Sequence, residues 1–287
     1  MATKRIIPLN QIEGVAVGGT AKITLPTNVR YHGICLEYNT DTGGGATEAN
    51  MKLEIGDVNI RLDEVTQRRF NPKQLFDINR TKKRDPIVGS GTPPGFLPIY
   101  FSEPQRLNTL AREATAWGMK GVKDFDIEVN ILNNAGQVPS LRGFAVVDDV
   151  QEAPAGIVKW KRSTIQVAGT GELPYSLNLV NGDSHQGLFF FETADGDIDD
   201  ILLEWDGVKV SQLNEYQQAA FIAGYTDFAQ VSGLVHVPLD MNNPPDALRS
   251  VKEINGQRQL VQEVIATLNM GAANNVTLMR ELVGTPD

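Results

Sequence analysis

The sequence predicts an all-β protein made of two tandem β-sandwiches of eight strands each, with short helices in the loops between strands. Apolar and polar residues alternate without a break in residues 125–131 and in several other stretches. This alternation is the pattern of a strand with one buried and one exposed face. Segments of the first half recur in the same order in the second half, and each half holds one clear helical stretch. The two halves are therefore predicted to share one architecture.

The composition is that of an ordinary globular chain. The 287 residues include 41% hydrophobic and 21% charged residues, which argues against global disorder and allows two domains or one large β domain. The longest apolar runs are too short for a transmembrane helix, and residues 1–5 lack the apolar core of a signal peptide. Cys35 is the only cysteine in the sequence and is expected to be a small buried side chain. These features predict synthesis and folding in a reducing host cytoplasm.

Charge is spread unevenly along the chain. Residues 1–150 contain 18 basic and 17 acidic residues and residues 151–287 contain 8 and 18, which gives net charges of +1 and −10. A net acidic chain argues against sequence-specific or general nucleic-acid binding, because phosphate contacts need an excess of positive charge. The difference predicts two halves with different outer surfaces.

In the first half, residues 40–50 are expected to form a glycine-containing loop, and residues 65–78 a helix broken near Pro72. Residues 95–132 contain a short apolar run, a long polar crossing and a returning strand, which is the layout of a Greek-key connection rather than a hairpin. A turn is expected at Gly56 and Asp57. The predicted strands of this half are residues 6–12, 20–25, 31–38, 51–60, 96–101, 125–131 and 143–147.

Basic residues are concentrated within and on either side of the predicted helix of the first half. A solvated helix face is the simpler interpretation, and a contact with an anionic partner, such as an acidic neighbouring subunit or lipid headgroups, is the alternative. The basic residues concerned are Arg61, Arg68, Arg69, Lys73, Arg80, Lys82, Lys83 and Arg84.

Residues 148–156 form a polar linker that contains Pro154 and Gly156, so the predicted domains are residues 1–150 and 151–287. In the second half, Asp206 and Gly207 predict a hairpin turn. Residues 211–223 have helical composition, with Ser211 as the candidate cap. The predicted strands of this half are residues 157–167, 175–179, 187–191, 201–205, 208–210, 234–239, 259–270 and 275–282.

Four segments of the first half match segments of the second half in the same order. The ordered matches around one helix per half predict Greek-key wiring in both, that is, two tandem eight-stranded jelly rolls. The matched pairs are residues 53–60 with 203–210, 31–36 with 185–190, 95–99 with 233–237, and 126–132 with 262–268.

With this layout, the chain resembles the double jelly-roll major capsid proteins of tailless icosahedral viruses, the lineage of adenovirus, tectivirus and corticovirus. The segments that carry the resemblance are residues 97–104, Ala116-Trp117-Gly118 and residues 125–130, and the compact size is closest to the small phage members. The resemblance implies a structural protein of the virion that forms a homotrimer with a pseudo-hexagonal outline. It implies contacts with neighbouring capsomers, and with penton or minor capsid proteins and an inner lipid membrane, which Lys4 and Arg5 could reach.

Residues that could carry chemistry are scattered. His32, His185 and His236 have no second His or Cys at metal-ligand spacing, so we expect structural histidines. Asp183, Ser184 and His185 hold the residue types of a catalytic triad, but neighbours in sequence do not have triad geometry.

An acidic loop is the most suggestive polar cluster. Asp195, Asp197 and Asp199 alternate on a predicted turn and could collect oxygen ligands for calcium, although the EF-hand spacing is not met. A solvated acidic loop is the simpler interpretation. No cofactor is predicted.

Two other function classes remain open at this point. One is a carbohydrate-binding double β-domain, lectin-like or bicupin-like, which would need exposed aromatic residues or a His-rich metal motif. The other is a hydrolase on a β scaffold, which the absence of a recognisable catalytic motif disfavours. The main hypothesis is a non-enzymatic capsid protein.

Overall fold

The computed structural model describes residues 3–40, 46–84, 95–104, 112–134, 136–177, 183–225, 228–240, 248–249, 251–254 and 257–287. Two compact units are present. The first comprises residues 1–80, 84–160 and 285–287, and the second comprises residues 81–83 and 161–284. The division into domains at residues 150 and 151 stays a prediction.

The first unit contains the four-stranded antiparallel sheet β1–β8–β3–β6 and, facing it as a second layer, the antiparallel strand run β2–β7–β4–β5. Helix α1 precedes β4, and helix α2 lies between β5 and β6. The bounds are β1 Arg5–Pro8, β2 Thr20–Leu25, β3 Arg30–Asn39, α1 Glu48–Glu54, β4 Ile55–Leu62, β5 Val65–Phe70, α2 Pro72–Thr81, β6 Gly95–Tyr100, β7 Phe125–Ile131 and β8 Ser140–Asp148.

The second unit repeats this arrangement. Its sheets have the orders β9–β19–β11–β14 and β10–β18–β12–β13, and helix α3 lies between β13 and β14. The bounds are β9 Ile157–Ile165, β10 Gly171–Ser176, β11 Ser184–Phe191, β12 Ile198–Trp205, β13 Val208–Asn214, α3 Glu215–Tyr225, β14 Leu234–Pro238, β15 Leu248–Arg249, β16 Val251–Ile254, β17 Gln257–Leu260, β18 Val264–Met270 and β19 Val276–Gly284.

Each unit is thus a jelly roll, and the two share one wiring: β1 to β8 correspond in order to β9, β10, β11, β12, β13, β14, β18 and β19. The alternating sequence explains why these segments form strands. In β2, side chains alternate between exposed and buried, because every second side chain points into the space between the sheets. The prediction of an all-β chain of two tandem jelly rolls is confirmed.

The hairpin that precedes each helix ends in the same aspartate latch. Asp63 and Asp206 both have positive φ angles, of 47° and 48°, a backbone region that Asp tolerates better than most residues. Asp63 Oδ1 accepts hydrogen bonds from the backbone N–H groups of Lys123 and Asp124, at 2.7 and 3.0 Å. These residues stand just before β7, so the latch ties the hairpin tip to the next strand.

Asp206 repeats this latch in the second unit. Its Oδ1 accepts from the backbone N–H groups of Gln262 and Glu263, at 2.8 and 2.9 Å, just before β18. Its own N–H donates to the carbonyl of Glu263 at 2.9 Å. The same geometry is therefore built twice, at a sequence offset of 143.

The helix after each hairpin begins with the same cap at the same offset. Asn71 Oδ1 accepts from the N–H of Gln74 at 3.0 Å, and Gln74 Oε1 accepts from the N–H of Asn71 at 3.0 Å. Asn214 and Gln217 make the same reciprocal pair, at 2.8 and 3.2 Å. This is a capping box, which satisfies backbone N–H groups that a helix start leaves open.

The third strand of each unit carries the same bulge. The pairing of β3 with β8 shifts between Tyr31 and Gly33, and that of β11 with β19 shifts between His185 and Gly187. The carbonyl of the bulged residue accepts two consecutive backbone N–H groups in each case, those of Phe101 and Ser102 at His32. At Gln186 they come from Leu239 and Asp240.

These features test the matched segments. The matches of 31–36 with 185–190 and of 95–99 with 233–237 agree with the bulges and strand registers. The other two are wrong by several residues. The latches place Asp63 opposite Asp206 and Phe125 opposite Val264, so residues 53–60 do not correspond to 203–210, nor residues 126–132 to 262–268.

Three predicted elements also differ from the structure. Residues 65–70 are strand rather than helix, because Val65–Phe70 pairs with β4 across the latch turn, and the helix begins only at Pro72. Residues 48–54 are helical rather than loop and strand, because Thr47 caps the N–H of Asn50. No turn occurs at Gly56 and Asp57, where the β4–β7 register shifts.

In the second unit, the predicted helix cap and the bounds of one predicted strand are also wrong. Ser211 lies in β13, and the helix cap is Asn214. Residues 259–270 are not one strand but parts of β17 and β18.

The first unit contains a fully buried arginine. Arg68 is 1% exposed, and its guanidinium carbon lies 4.9–5.2 Å from the ring centroids of Phe101, Trp117 and Trp160. Its Nε and Nη1 each donate at 2.7 Å, to the carbonyls of Val158 and Tyr100. A planar guanidinium can stack on rings and donate in several directions at once, which an ammonium group cannot do.

We expect Asp206→Ala to lower the free energy of unfolding by about 1–2 kcal/mol, because two N–H groups lose their acceptor and the positive φ becomes costly. Asp206→Asn keeps an acceptor oxygen and tolerates positive φ, so it should retain most of that stability. Urea unfolding followed by circular dichroism measures both. Equal midpoints for the two variants would contradict the latch.

We expect Arg68→Lys to cost about 2–3 kcal/mol despite the retained charge, because one amine cannot replace two directed donors and ring stacking. Near-ultraviolet circular dichroism should also change, since Trp117 and Trp160 flank the site. Arg69→Lys is the control, because that side chain is 55% exposed and pairs with Asp57 at the surface. A cost as small for Arg68 as for Arg69 would show that the stacked guanidinium is dispensable.

Candidate interaction surface

The sheet β1–β8–β3–β6 carries apolar residues on both faces. Its inner face supplies core residues such as Ile34 and Leu36. On its outer face, one row of paired residues runs across all four strands as Ile6, Val146, Gly33 and Tyr100, and the next runs as Pro8, Phe144, Cys35 and Pro98. A solvated sheet face normally carries polar residues. The apolar residues on this outer face therefore indicate a surface that another protein surface covers.

These rows form a groove of about 470 Å³. We call it the outer groove and define it by six half-buried residues, Cys35, Phe96, Pro98, Tyr100, Phe144 and Val146. Burial raises the pKa of the Cys35 thiol to about 12, so this side chain is a neutral apolar component of the groove. At the edge strand, Ile6 is 69% exposed and extends the apolar surface. The arrangement fits a protein surface better than a catalytic centre.

One end of the outer groove is closed by a charged network. Arg30 donates to both carboxylate oxygens of Asp148, at 3.1 and 2.6 Å, and to Glu152 at 2.9 Å. His32 Nε2 lies 2.8 Å from Asp148 Oδ2. Burial alone would raise the pKa of Asp148, but the hydrogen bonds from Arg30 and His32 outweigh it and lower the pKa to about 2. The carboxylate stays ionised and fixes the end of β8 against the start of β3.

The corresponding outer face of the second unit is buried. Phe189 stacks on His236 with ring centroids 4.3 Å apart, and Phe228 packs edge-on against His236 at 4.9 Å. Glu281, on the same face, forms a buried ion pair with Lys82. Both partners lie within the second unit, so this unit covers its own outer face.

Residues 6–148, about half of the chain, match the family model of the viral coat protein P2 N-terminal domain. The chain belongs to this coat-protein family. No curated protein sequence matches the chain.

Solved structures show the same fold over nearly the whole length of the coat protein. It is similar to the major capsid protein P2 from bacteriophage PM2, with a TM-score of 0.83 and 17% identity over 99% of this chain and 98% of that one. It is also similar to a chain in the atomic structure of Sulfolobus turreted icosahedral virus, with a TM-score of 0.68 and 12% identity over 99% and 91%. A chain of the PBCV-1 virus capsid gives 0.65 and 9% over 99% and 94%. The prediction of a double jelly-roll capsid protein located in the virion is confirmed.

The histidines of the coat protein lie apart from one another. His32 belongs to the network at the outer groove, His236 to the stacked cluster, and His185 to the start of β11. Burial lowers the pKa of all three, to about 4 at His185 and well below the usual value at His236. His185 is consecutive with Ser184 on one strand, so their side chains point to opposite faces and cannot form a triad.

The acidic loop does not gather its carboxylates. Asp197 accepts hydrogen bonds from the N–H of Ala194 and from Asn274, at 2.8 and 2.9 Å. Asp195 accepts from the N–H of Gly233 at 2.6 Å, and Asp199 is exposed. Among the residues that the structure describes, no three His, Cys, Asp or Glu side chains come together as a metal site. The calcium candidate at Asp195, Asp197 and Asp199 thus gains no support from the geometry.

Most of the predicted basic cluster is neutralised locally. Arg61 pairs with Glu128, Lys73 with Asp77, and Arg80 with Glu48. Arg69, Lys82 and Arg68 have the partners given above, and Arg84 lies over the Tyr100 ring at 5.0 Å. Five of the eight basic residues are thus paired with carboxylates among the described residues.

The tryptophans bear on the carbohydrate alternative. Trp117 and Trp160 are buried and Trp205 is half-buried, so they do not provide the exposed aromatic platform that a sugar site needs. Within the described residues, no helix is long and apolar enough to cross a membrane.

Sequence analysis missed the outer groove. Phe96, Pro98 and Tyr100 alternate with Leu97 and Ile99, so β6 reads as a continuous apolar run with no polar face. Such a run indicates a strand buried on both faces. It was the signal in the sequence from which a second apolar face could have been inferred. The neighbours across the sheet became known only from the register.

We expect the coat protein to lose stability as the pH falls below 6.5. The unfolded chain binds a proton at His185 near pH 6.5, whereas the folded chain resists it until about pH 4, so protons favour unfolding in that window. Between pH 7 and pH 5 the contribution of His185 is about 2 kcal/mol, and urea unfolding at the two pH values measures it. His185→Gln should show a correspondingly smaller difference. An unchanged difference would place the effect elsewhere.

Proposed function

We propose that three copies of this coat protein assemble into a capsomer with a pseudo-hexagonal outline, and that such capsomers tile an icosahedral virion shell. The observation that carries the proposal is the repeated wiring. One chain supplies two jelly rolls with the same strand order, latch, cap and bulge. Three chains then supply six similar blocks to a ring, and a repeated head-to-tail interface gives a closed ring when its rotation closes.

The charge distribution supports an alternating ring. Residues 151–287 carry a net charge of −10 and residues 1–150 a net charge of +1. If the two kinds of jelly roll alternate, each acidic roll is flanked by nearly neutral rolls. This arrangement lowers the repulsion that adjacent acidic rolls would create.

We infer that the protein works through its surfaces and performs no catalytic step, in keeping with its coat-protein family. Its further partners would be neighbouring capsomers and the penton or minor capsid proteins that close a shell. An inner lipid membrane gains less support, because Lys4 pairs with Glu113 and Arg5 with Asp149, and the cations near the start of the chain are thus partly neutralised.

The assembly is tested by light scattering on the purified protein over a range of concentrations. A trimer of 31.4 kDa chains has a mass of about 94 kDa, and negative-stain images should show particles with a hexagonal outline. Stable monomers at every concentration would refute the proposal.

A further inference from the structure

Strands β5 and β13 correspond to one another but differ in how far they are buried. Each runs from an aspartate latch to an asparagine cap, and both pairs of landmarks are 143 residues apart (206 − 63 and 214 − 71). A bulge falls on Gln67 in β5 and on its counterpart Val210 in β13, so residues 65–70 correspond to 208–213 without a gap. Three of the first six are buried and none of the second six is. The buried residues are Gln67, Arg68 and Phe70, and their counterparts are Val210, Ser211 and Leu213.

The first unit shows what covers the edge of β5. Trp160, near the start of β9, forms a parallel bridge with Arg68, and its ring packs edge-on against Phe70 with centroids 5.3 Å apart. The N–H of Asp287 donates to Gln67 Oε1 at 3.3 Å. All of these residues belong to the first unit. The first strand of a jelly roll can therefore cover the edge of a strand of this type.

The second unit has a groove where this cover is missing. The groove has a volume of about 380 Å³. We call it the β13 groove and define it by Trp205, Val210, Ser211 and Leu213. Val210 is 45% exposed, and Val208 on the same strand is 67% exposed. Among the residues that the structure describes, β13 pairs with β12 alone. An unpaired strand edge is a template on which another chain can add a strand.

We propose that the β13 groove receives strand β1 of a second copy of this chain, running parallel to β13, as the contact that closes the trimer. The inference rests on the proposed trimer. In the shared wiring, β1 is the counterpart of β9, which is the strand that lies on β5. Strand β9 lies between β19 and β5, whereas in the described part of the chain β1 pairs only with β8, the counterpart of β19. The edge of β1 that remains is thus the equivalent of the edge that β9 presents to β5.

The two edges suit one another in composition and in number. Ile6 on β1 is 69% exposed, and Val208 and Val210 are the exposed apolar residues of β13. Edge strands that stay in water usually carry charges or other features that prevent pairing, so exposed branched side chains on both edges favour a contact. Strands β1 and β13 are not paired with each other within the chain, so a second copy has to supply the partner. Each chain then offers one edge of each kind, which is the requirement for a head-to-tail ring.

The first test places charges in the contact. Val210→Lys and Ile6→Glu are at exposed positions, so each monomer should stay folded, but a charge would be buried on assembly and the trimer should weaken at least 10-fold in dissociation constant. Val65→Lys is the matched control, because Val65 is 41% exposed on the equivalent strand β5 and lies outside the β13 groove. Analytical ultracentrifugation measures the oligomer, and circular dichroism verifies the fold.

The second test links the two edges covalently and does not depend on the charge variants folding. Under mild oxidation, I6C/V210C or I6C/V208C should give disulfide-linked dimers and trimers on non-reducing gels, whereas I6C/V65C should not. Cys35 is not expected to react, because its thiol has a pKa of about 12 and is not ionised.

Trimers that persist at wild-type strength in both charge variants would overturn this interface and leave the proposed capsomer standing. Trimers in which neither cysteine pair links two copies would overturn it in the same way. A wild-type protein that is monomeric at every concentration would overturn the proposed function itself.

Discussion

A sheet in a sandwich has two faces, and the other sheet of the same sandwich can bury only one of them. In this protein the second face also carries apolar residues in both jelly rolls. The second roll buries Phe189 and His236 against its own residues, while the first leaves Phe144 and Pro98 half-buried in the outer groove. Apolar surface left in contact with water costs roughly 25 cal/mol per Å². Covering the outer groove by another subunit would therefore lower the free energy of the folded protein.

The two rolls share the residues that direct the backbone more closely than the residues that fill the core. Asp63 and Asp206 occupy a turn with positive φ, and Asn71 and Asn214 cap a helix. Few residue types can perform either task. Core positions need only suitable volume and hydrophobicity, so Phe125 in one roll corresponds to Val264 in the other. The polar residues at turns therefore report the repeat better than the hydrophobic pattern does.

This difference explains how much the sequence could predict. Strands β2 and β7 were predicted to the residue, because one face of each is buried and the other is polar. Residues 53–60 and 203–210 were matched on similar residue types, although the Asp and Asn-x-x-Gln signals at an offset of 143 were present in the sequence. The outer groove could not be predicted, because its residues come from three strands whose pairing is long-range. Helix α1 was missed because its only strong signal is the cap at Thr47.

The outer faces of the two jelly rolls would be covered at different stages, one on folding and the other on association. The Lys82–Glu281 contact lies within one chain, so it forms on folding at any protein concentration. A cover for the outer groove that comes from a second chain forms only on association, so its population depends on protein concentration. An ion pair within the chain fixes the relative position of the two segments through directed hydrogen bonds. An apolar contact between chains adds little specificity but avoids burying a charge that would be unpaired before assembly.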